Sequence, residues 1–347
     1  MRTPFFTDPA AAFALGSVLL LFSPAAAAAQ NKPASKDFFP LTRDRFGTLG
    51  APASKEHWDV LGARWFKSGD CYWQGGDWVP KSDVQPWLLV RPRMYFTGNN
   101  RVWNPPPKPP DWDYRDKTRK FIEQNKDRIG IIALGNSICF ADIESGYYDV
   151  DEYVTWYHDF HEFVHRLNPR IKIAPGDLQS AWGGLQGTEQ IEFYLAAYKK
   201  RYGEKMPIDA IGLHCYITGN KPPEWAKPEV ISVDTFKQKI RAMRAFMKRA
   251  NLQDTAFVIT EMGVFNHHCE PRLTEPRLIE IMEGAIRFIE SPEGIDKELG
   301  MPSDGYRLVQ KWSYSAFPHL VREGKPTPMG KVYRMLVDAY INDRKQE

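Results

Sequence analysis

The residue best placed for chemistry in this sequence is Glu261, which follows an apolar run in FVITEMGVF. A carboxylate directly after a buried strand is costly to desolvate unless it has polar partners or a chemical role. One such role is nucleophilic attack on the anomeric carbon of a sugar, which forms a covalent glycosyl-enzyme intermediate. The alternative is a structural glutamate that a salt bridge holds at the end of the strand. The residue type and its position therefore predict either a glycosidase nucleophile or a rim ion pair.

Polar and aromatic residues also end several other apolar runs, and we predict that they bind substrate. These residues are Trp65, Lys67, Asn136, His214, Tyr216 and Trp312. Further tryptophans, Trp182 among them, lie in the segments that follow the apolar runs. Flat rings stack on the faces of sugars while polar neighbours fix their orientation, so this combination predicts a groove for an oligosaccharide or polysaccharide. The alternative for the aromatic residues is that they pack loops against the body of the protein.

Apolar runs of strand length alternate with amphipathic segments of helix length from residue 45 to residue 345. The predicted strands are RFGTLGA, ARWFKSG, PWLLVRPRM, IGIIALGN, RIKIAPG, DAIGLHCY, AFVITEMG and RLVQKWSYSAF. Strict alternation predicts an α/β protein with a parallel sheet. Eight such units over about 300 residues predict a single (β/α)8 TIM barrel with long aromatic-rich loops at its C-terminal face. A doubly wound open sheet is the alternative, but the chain has no G-x-G-x-x-G or Walker pattern.

Four short motifs resemble the retaining glycoside hydrolases whose (β/α)8 barrel carries catalytic glutamates after strands four and seven. ITEMG resembles their nucleophile strand, IDAIGLHCY their sixth strand, VQKWSY their eighth, and LGARWFKSGDCYW the second-strand region of the endo-β-1,3-glucanase-like branch. The resemblance implies that Glu261 is the nucleophile and that His214 or Tyr216 contacts the nucleophile region. It further implies that Trp312 floors a sugar subsite and that Asn136 binds the sugar 2-hydroxyl.

The sequence departs from this family at the end of the fourth predicted strand. The family has Asn-Glu-Pro at this point, whereas this chain has Asn-Ser-Ile, with the serine at Ser137. A serine hydroxyl is too weak an acid to protonate a departing glycosidic oxygen, and general acid help contributes about 10²–10⁴ in rate. We therefore expect a displaced acid. The candidates are Glu144 and Asp142 on the following loop, with Asp177 after strand five as a third.

Residues 1–29 have the order of a secretory signal, with Arg2, a short apolar stretch and the small residues of SPAAAAAQ. We expect cleavage near Ala29, a polar leader at residues 30–44 and a secreted or periplasmic protein; the alternative is an uncleaved anchor. The apolar stretch, about thirteen residues, is too short for a comfortable membrane span, so we expect no span in the mature chain. A net charge of +3 gives no argument for nucleic-acid binding.

The four cysteines allow three disulfide pairings in an exported chain, among which the sequence does not choose. A Cys215–Cys269 bond would join the loops after strands six and seven and leave Cys71 to pair with Cys139. FNHHCEPR, together with His214, also suggests a metal site because imidazole, thiolate and carboxylate bind zinc. Its spacing matches no standard motif, so we expect no metal and no cofactor.

Three functions compete on these observations. The first is a secreted retaining glycoside hydrolase that acts on a β-glucan-like polysaccharide, with Glu261 as nucleophile and a displaced acid/base. The second is a non-catalytic glycan-binding protein on the same barrel, which has lost the acid and kept the aromatic groove. The third is a metal-assisted hydrolase such as a deacetylase. Turnover of an activated glycoside separates the first two, and a chelator tests the third.

Overall fold

The continuous apolar runs of the sequence form a closed barrel of parallel strands in a computed structural model of the chain. Such runs suit a parallel barrel because both faces of each strand are buried, one inside the barrel and one beneath the helices. The structure describes residues 45–49, 60–67, 85–90, 95–97, 100–102, 113–138, 150–180, 185–219, 226–315 and 320–343. All of them belong to one compact unit.

Eight strands make up the barrel and follow one another around it in chain order. They are β1 (Phe46–Leu49), β2 (Trp65–Lys67), β3 (Gln85–Val90), β4 (Ile131–Ser137), β5 (Lys172–Gln179), β6 (Ala210–Tyr216), β7 (Ala256–Gly263) and β8 (Lys311–Tyr314). The barrel closes between β8 and β1, where Phe46 pairs with Trp312. The predicted (β/α)8 fold is confirmed.

Amphipathic helices follow the later strands and cover the outside of the barrel. The described helices are α1 (Asp113–Asn125), α2 (Val150–Leu167), α3 (Thr188–Tyr202), α4 (Val233–Arg249), α5 (Glu275–Glu290) and α6 (Pro328–Asp343). Ser232 caps α4, because its side chain accepts a hydrogen bond from the backbone N–H of Thr235 at 3.2 Å. The apolar stripe of each helix packs on the outward side chains of the strands.

The barrel interior is filled by two tryptophans on one side and by small residues on the other. Trp65 on β2 and Trp87 on β3 are buried, with ring centroids 6.3 Å apart. Across the barrel, β5, β6 and β7 contribute Ala174, Ala210, Ala256 and Val258 to the interior. Large residues opposite small ones fill this space as in a close-packed core. A reaction site must therefore lie above this layer, at the C-terminal ends of the strands.

A buried ion pair joins the start of β1 to the helical layer. Nε of Arg45 donates to both carboxylate oxygens of Glu290 at 3.0 and 3.2 Å, and neither side chain is exposed. Trp312 on β8 donates through Nε1 to Oε1 of the same carboxylate at 2.8 Å. Because a buried charge without partners is strongly unfavourable, this cluster depends on all three residues.

The predicted and observed elements differ mainly at their ends. The predicted seventh strand coincides with β7 residue for residue. In contrast, β5 continues to Gln179, so that Asp177 lies inside the strand and not after it. The sequence reasoning also missed two short antiparallel pairs, Tyr95–Thr97 with Asn100–Val102 and Val321–Arg322 with Lys325–Pro326.

The expected signal peptide (residues 1–29) and polar leader (residues 30–44) lie outside the described residues. Within the described part of the chain, none of the helices has the length and apolar character needed to cross a membrane.

Candidate active site

A buried lysine at the end of β2 forms the centre of the candidate site. Lys67 Nζ lies near four polar atoms that come from four other strands. These are Asn136 Oδ1 on β4 at 3.1 Å, Asp177 Oδ2 on β5 at 2.8 Å, His214 Nε2 on β6 at 2.5 Å and Glu261 Oε1 on β7 at 2.7 Å. Burial alone lowers the pKa of Lys67, but the two carboxylates outweigh this effect and raise the pKa above its usual value. Lys67 is therefore a cation at neutral pH, at the C-terminal mouth of the barrel.

Glu261 is an ionised carboxylate that remains partly exposed at the C-terminal end of the barrel. Its side chain is 13% exposed, whereas that of Lys67 is fully buried. Tyr216 donates its hydroxyl proton to Oε2 at 2.5 Å, and His214 Nε2 lies 3.3 Å from Oε1. Burial raises the pKa of Glu261, but His214, Lys67 and the hydrogen bonds from Lys67 and Tyr216 overcome this and lower it to about 2. A carboxylate in this state suits nucleophilic attack or charge stabilisation, and it is unsuited to acid catalysis.

A β-bulge in β7 turns Glu261 towards the barrel axis. Leu213 pairs with Ile259, but the next residue of β6, His214, pairs with Glu261, so that β7 carries one extra residue. Both Thr260 and Glu261 consequently contact groups on the inner side, Asp177 and Lys67 respectively. Bulges of this kind re-aim side chains beside active sites. Without it, regular alternation from Ala256 would direct Glu261 outwards, into the helical layer.

Asp177 is buried inside the barrel and does not serve as the displaced acid. Its side chain is fully buried, and Oδ2 accepts hydrogen bonds from Lys67 and from Thr260 Oγ1, both at 2.8 Å. Burial raises the pKa of Asp177, but Lys67 and His214 more than compensate and lower it. A buried, ionised carboxylate cannot deliver a proton to a glycosidic oxygen, and the expectation of Asp177 as an acid is wrong for this geometry.

Ser137 lies at the end of β4, as the resemblance implied, but its hydroxyl is buried against His214. It is fully buried, and its Oγ lies 3.1 Å from Nδ1 of His214. The register shift between Leu134 and Ser137, together with φ of 113° at Gly135, produces this local geometry. The hydroxyl therefore orients the imidazole ring of His214. Because it is inaccessible, it is not the nucleophile of a Ser-His-Asp triad.

An aromatic pair lies beside Glu261. Tyr216 and Phe265 are both half-buried and stack with ring centroids 3.7 Å apart and an interplanar angle of 19°. His268 meets the Phe265 ring edge-on at 5.8 Å. The pair holds the Tyr216 hydroxyl in line with the carboxylate. Sequence reasoning missed Phe265, although its position two residues after β7 marks it as part of the rim.

Two of the predicted substrate-binding tryptophans do not reach this site. Trp65 faces the barrel interior, as Lys67 does, but it lies two residues earlier on β2 and therefore one layer of side chains deeper in the barrel. Its Nε1 donates a hydrogen bond to the Arg45 carbonyl. Trp312 points outwards and packs edge-on against Phe46, at 5.2 Å. Neither ring is available to stack on a sugar in this structure. The structure thus unites Lys67, Asn136, His214, Tyr216 and Glu261, and separates the two tryptophans from them.

Several predicted residues lie outside the part of the chain that the structure describes. They are Asp142, Glu144 and Trp182, together with Cys71 and Cys139. Their predicted roles remain predictions.

The Cys215–Cys269 disulfide, one of the pairings that the sequence left open, is not formed, and both residues are buried free thiols. Strand alternation places Cys215 on the outer face of β6, where burial raises the pKa of its thiol to about 11. The Cys269 thiol instead donates to the Phe265 carbonyl. Beside Cys215, Lys239 on α4 donates to the carbonyls of Ser180 and Tyr216, which ties together the ends of β5 and β6.

Among the described residues, no group of three or more histidine, cysteine, aspartate and glutamate side chains has an arrangement that could hold a metal ion. The site residues in this part of the chain form an ion-pair and hydrogen-bond network around Lys67.

No family model matches this chain, and no curated protein sequence matches it. Solved structures share its fold. A glucosidase from Croceicoccus marinus aligns with a TM-score of 0.59 at 11% identity, over 86% of this chain and 68% of that one. A GH128 (subgroup VII) oligosaccharide-binding protein from Cryptococcus neoformans aligns with a TM-score of 0.50 at 12% identity, over 87% of this chain and 96% of that one. A monomeric β-xylosidase from Caulobacter crescentus gives 0.50 at 13% identity, over 84% and 67%. At these identities the likeness establishes a barrel fold that glycoside hydrolases also use.

Proposed function

We propose that this protein is a glycoside hydrolase that cleaves a β-glucan-like polysaccharide with Glu261 as its nucleophile. The observation that carries the proposal is the state of Glu261, an ionised and partly exposed carboxylate held by Lys67 and Tyr216. Attack by one of its oxygens on the anomeric carbon would break the glycosidic bond and form a glycosyl ester. Water would then cleave this ester, with overall retention of configuration.

The proton for the leaving oxygen must come from a group other than Ser137 or Asp177. Ser137 is buried against His214, and Asp177 is locked in its ion pair with Lys67. We assign this role to Glu144 or Asp142, which follow β4 in the chain. We further propose that residues 1–29 direct export, because their order of a basic residue, a short apolar stretch and small residues is typical of a secretory signal.

The burial of Ser137 favours a second candidate, a glycan-binding protein without catalysis. The residue at the usual position of the acid neither ionises nor faces the cleft. In such a protein, Asn136 and the Tyr216–Phe265 pair would bind the sugar, and Glu261 would accept hydrogen bonds from its hydroxyl groups.

Two aryl β-glucosides distinguish these candidates, one with a strongly acidic phenol as leaving group and one with a weakly acidic phenol. We expect E261Q to abolish turnover of both substrates. We expect E144Q or D142N to reduce turnover of the glucoside with the weakly acidic phenol by about 10²–10⁴, because this leaving group needs general acid help. Turnover of the glucoside with the strongly acidic phenol should be largely unaffected. E283Q is the matched control, since Glu283 pairs with Arg287 on the surface of α5.

The outcomes are distinct. Wild-type protein that binds a β-glucan by calorimetry but turns over neither substrate would support the binding protein. Turnover that survives in E261Q would overturn the assignment of the nucleophile.

A further inference from the structure

Asp177 is the charged residue of the site to which the proposed hydrolysis gives no role. It is fully buried, so it does not contact substrate. Its Oδ2 nevertheless accepts hydrogen bonds from Lys67 and Thr260 and lies 3.0 Å from His214 Nε2. Asp177 therefore contacts two of the groups that hold Glu261, but not the cleft that Glu261 faces.

The position of this carboxylate is fixed by a glycine. A Cβ atom at Gly212 would lie 1.8 Å from Asp177 Oδ1, so the oxygen occupies the space that any other side chain would fill. Oδ1 has no hydrogen-bond partner, and the three polar contacts of the group all fall on Oδ2. The packing thus directs one oxygen of Asp177 at Lys67 and leaves little room for the carboxylate to turn.

We propose that Asp177 is a positioning residue that acts through Lys67, as the counter-ion that remains when Glu261 loses its charge. This inference rests on the proposed function, because only a nucleophile loses its charge in the reaction. In the first step, a Glu261 oxygen bonds to the anomeric carbon as the bond to the leaving oxygen breaks, and that oxygen takes a proton from the acid. The ester is neutral until water cleaves it and restores the carboxylate.

Lys67 would be an unpaired buried cation in this intermediate if Glu261 were its only partner. Its other neighbours on β4 and β6 are the amide of Asn136 and the imidazole of His214, neither of which carries a negative charge. Removing one partner from a buried ion pair is strongly unfavourable. Asp177 keeps the Lys67 ammonium paired at every stage. Before the attack, it also weakens the hold of Lys67 on Glu261, because the ammonium is shared between the two carboxylates.

The test is the variant D177N, assayed with the activated aryl glycoside. We expect loss of the pre-steady-state burst, because the glycosyl intermediate is destabilised relative to free enzyme. We also expect the alkaline limb of kcat/KM to move to lower pH by about one unit or more. The sign follows from Lys67, whose raised pKa depends on two carboxylates. In D177N only Glu261 still raises the pKa of Lys67, while burial continues to lower it, so this pKa should fall below its wild-type value.

The variant T260V is the matched control. It removes the hydroxyl that donates to Asp177 Oδ2 but keeps the carboxylate and its charge, so its alkaline limb should stay at the wild-type position. The variant G212A makes the opposite change, because its Cβ displaces the Asp177 carboxylate without changing any charge. It should therefore shift the alkaline limb of kcat/KM in the same direction as D177N does. A limb that stays in place in D177N, or that moves equally in T260V, overturns the proposal.

A second measurement uses the wild-type protein and needs no variant to fold. In a crystal structure of the enzyme trapped with a 2-deoxy-2-fluoroglycosyl fluoride, Lys67 Nζ should remain within about 3 Å of Asp177 Oδ2. An ammonium that has left Asp177 overturns the inference while the proposed function stands. Wild-type protein that neither turns over nor traps the substrate overturns the proposed function, and this inference with it.

Discussion

Replacement of Lys67 by methionine should reverse the sign of the pH dependence that this site gives to the free energy of unfolding. The substitution keeps the length and the apolar stem of the side chain and removes its charge. Asp177 and Glu261 would then be two buried carboxylates around the same point, with His214 beside them. Like charges in a desolvated site cannot both remain ionised, so one of the two must take up a proton.

The size of the effect follows from the burial of the pair. Breaking a buried ion pair by removing one partner costs about 3–5 kcal/mol, and we expect a loss in this range at pH 7 to 8. The loss becomes smaller as pH falls, because protonation of one carboxylate relieves the repulsion. The slope cannot exceed about 1.4 kcal/mol per pH unit for one proton.

The sign of the pH dependence separates wild type from variant. In the wild type, the pKa values of Asp177 and Glu261 are lowered, that of Glu261 to about 2. Their contribution to stability is therefore complete above the unfolded pKa values, near 4, and is lost only as pH falls towards 2. In K67M, one carboxyl pKa is raised above its unfolded value, so stability is present at low pH and is lost as pH rises through that pKa.

Equilibrium urea unfolding, followed by tryptophan fluorescence at pH 5, 6, 7 and 8, measures this difference. The matched control is K248M, since Lys248 forms an exposed pair with Glu298 and should contribute no more than about 1 kcal/mol. A free-energy difference between wild type and K67M that does not change with pH would refute the reasoning. So would a difference no larger than that of the control.

Two further predictions concern a hydrogen bond to Glu261 in the same site and the buried ion pair of Arg45. Y216F keeps the stack on Phe265 but removes the hydroxyl that donates to Glu261, a charge-assisted bond of about 1.5–3 kcal/mol. It should raise the pKa of Glu261 by roughly 1–2 units from about 2, measured by ¹³C NMR titration of the carboxyl carbon, and an unchanged titration would contradict the assigned contact. E290Q leaves Arg45 buried without its counter-ion and should reduce the free energy of unfolding by about 3–5 kcal/mol; a loss below about 1 kcal/mol would show that the pair is not needed.

The strands were predictable because burial on both faces leaves a simple apolar signal. AFVITEMG forms β7 as predicted, and its glutamate reaches the candidate site. The same simplicity hides the direction of each side chain, because an apolar run with two buried faces carries no alternation. The position of Trp312 at the end of an apolar run, and the likeness of VQKWSY to the eighth strand of the glycoside hydrolases, predicted a sugar-binding ring. The pairing of β8 with β1 instead turns Trp312 outwards beside Phe46.

The contacts made at β-bulges could also not be predicted from the sequence. Strict alternation from Ala256 would place Glu261 on the outside of the barrel, and only the extra residue in β7 brings it to Lys67. Asp177 was missed as a partner of Lys67 because RIKIAPG ended the fifth predicted strand too early. Nothing in the local sequence encodes either feature, because both depend on how neighbouring strands pair.

The contacts of Lys67 also have a consequence for how the protein folds. They join residues that are 69, 110, 147 and 194 positions apart in the chain. Contacts of such long range form only after most of the chain-closure entropy has been overcome, so they belong to the late stages of folding. A fragment that stops before β7 contains the lysine but cannot contain its full set of partners. Formation of the Lys67 contacts therefore indicates that the barrel has closed. A spectroscopic signal from Glu261 would show when β7 has come into contact with Lys67 on β2.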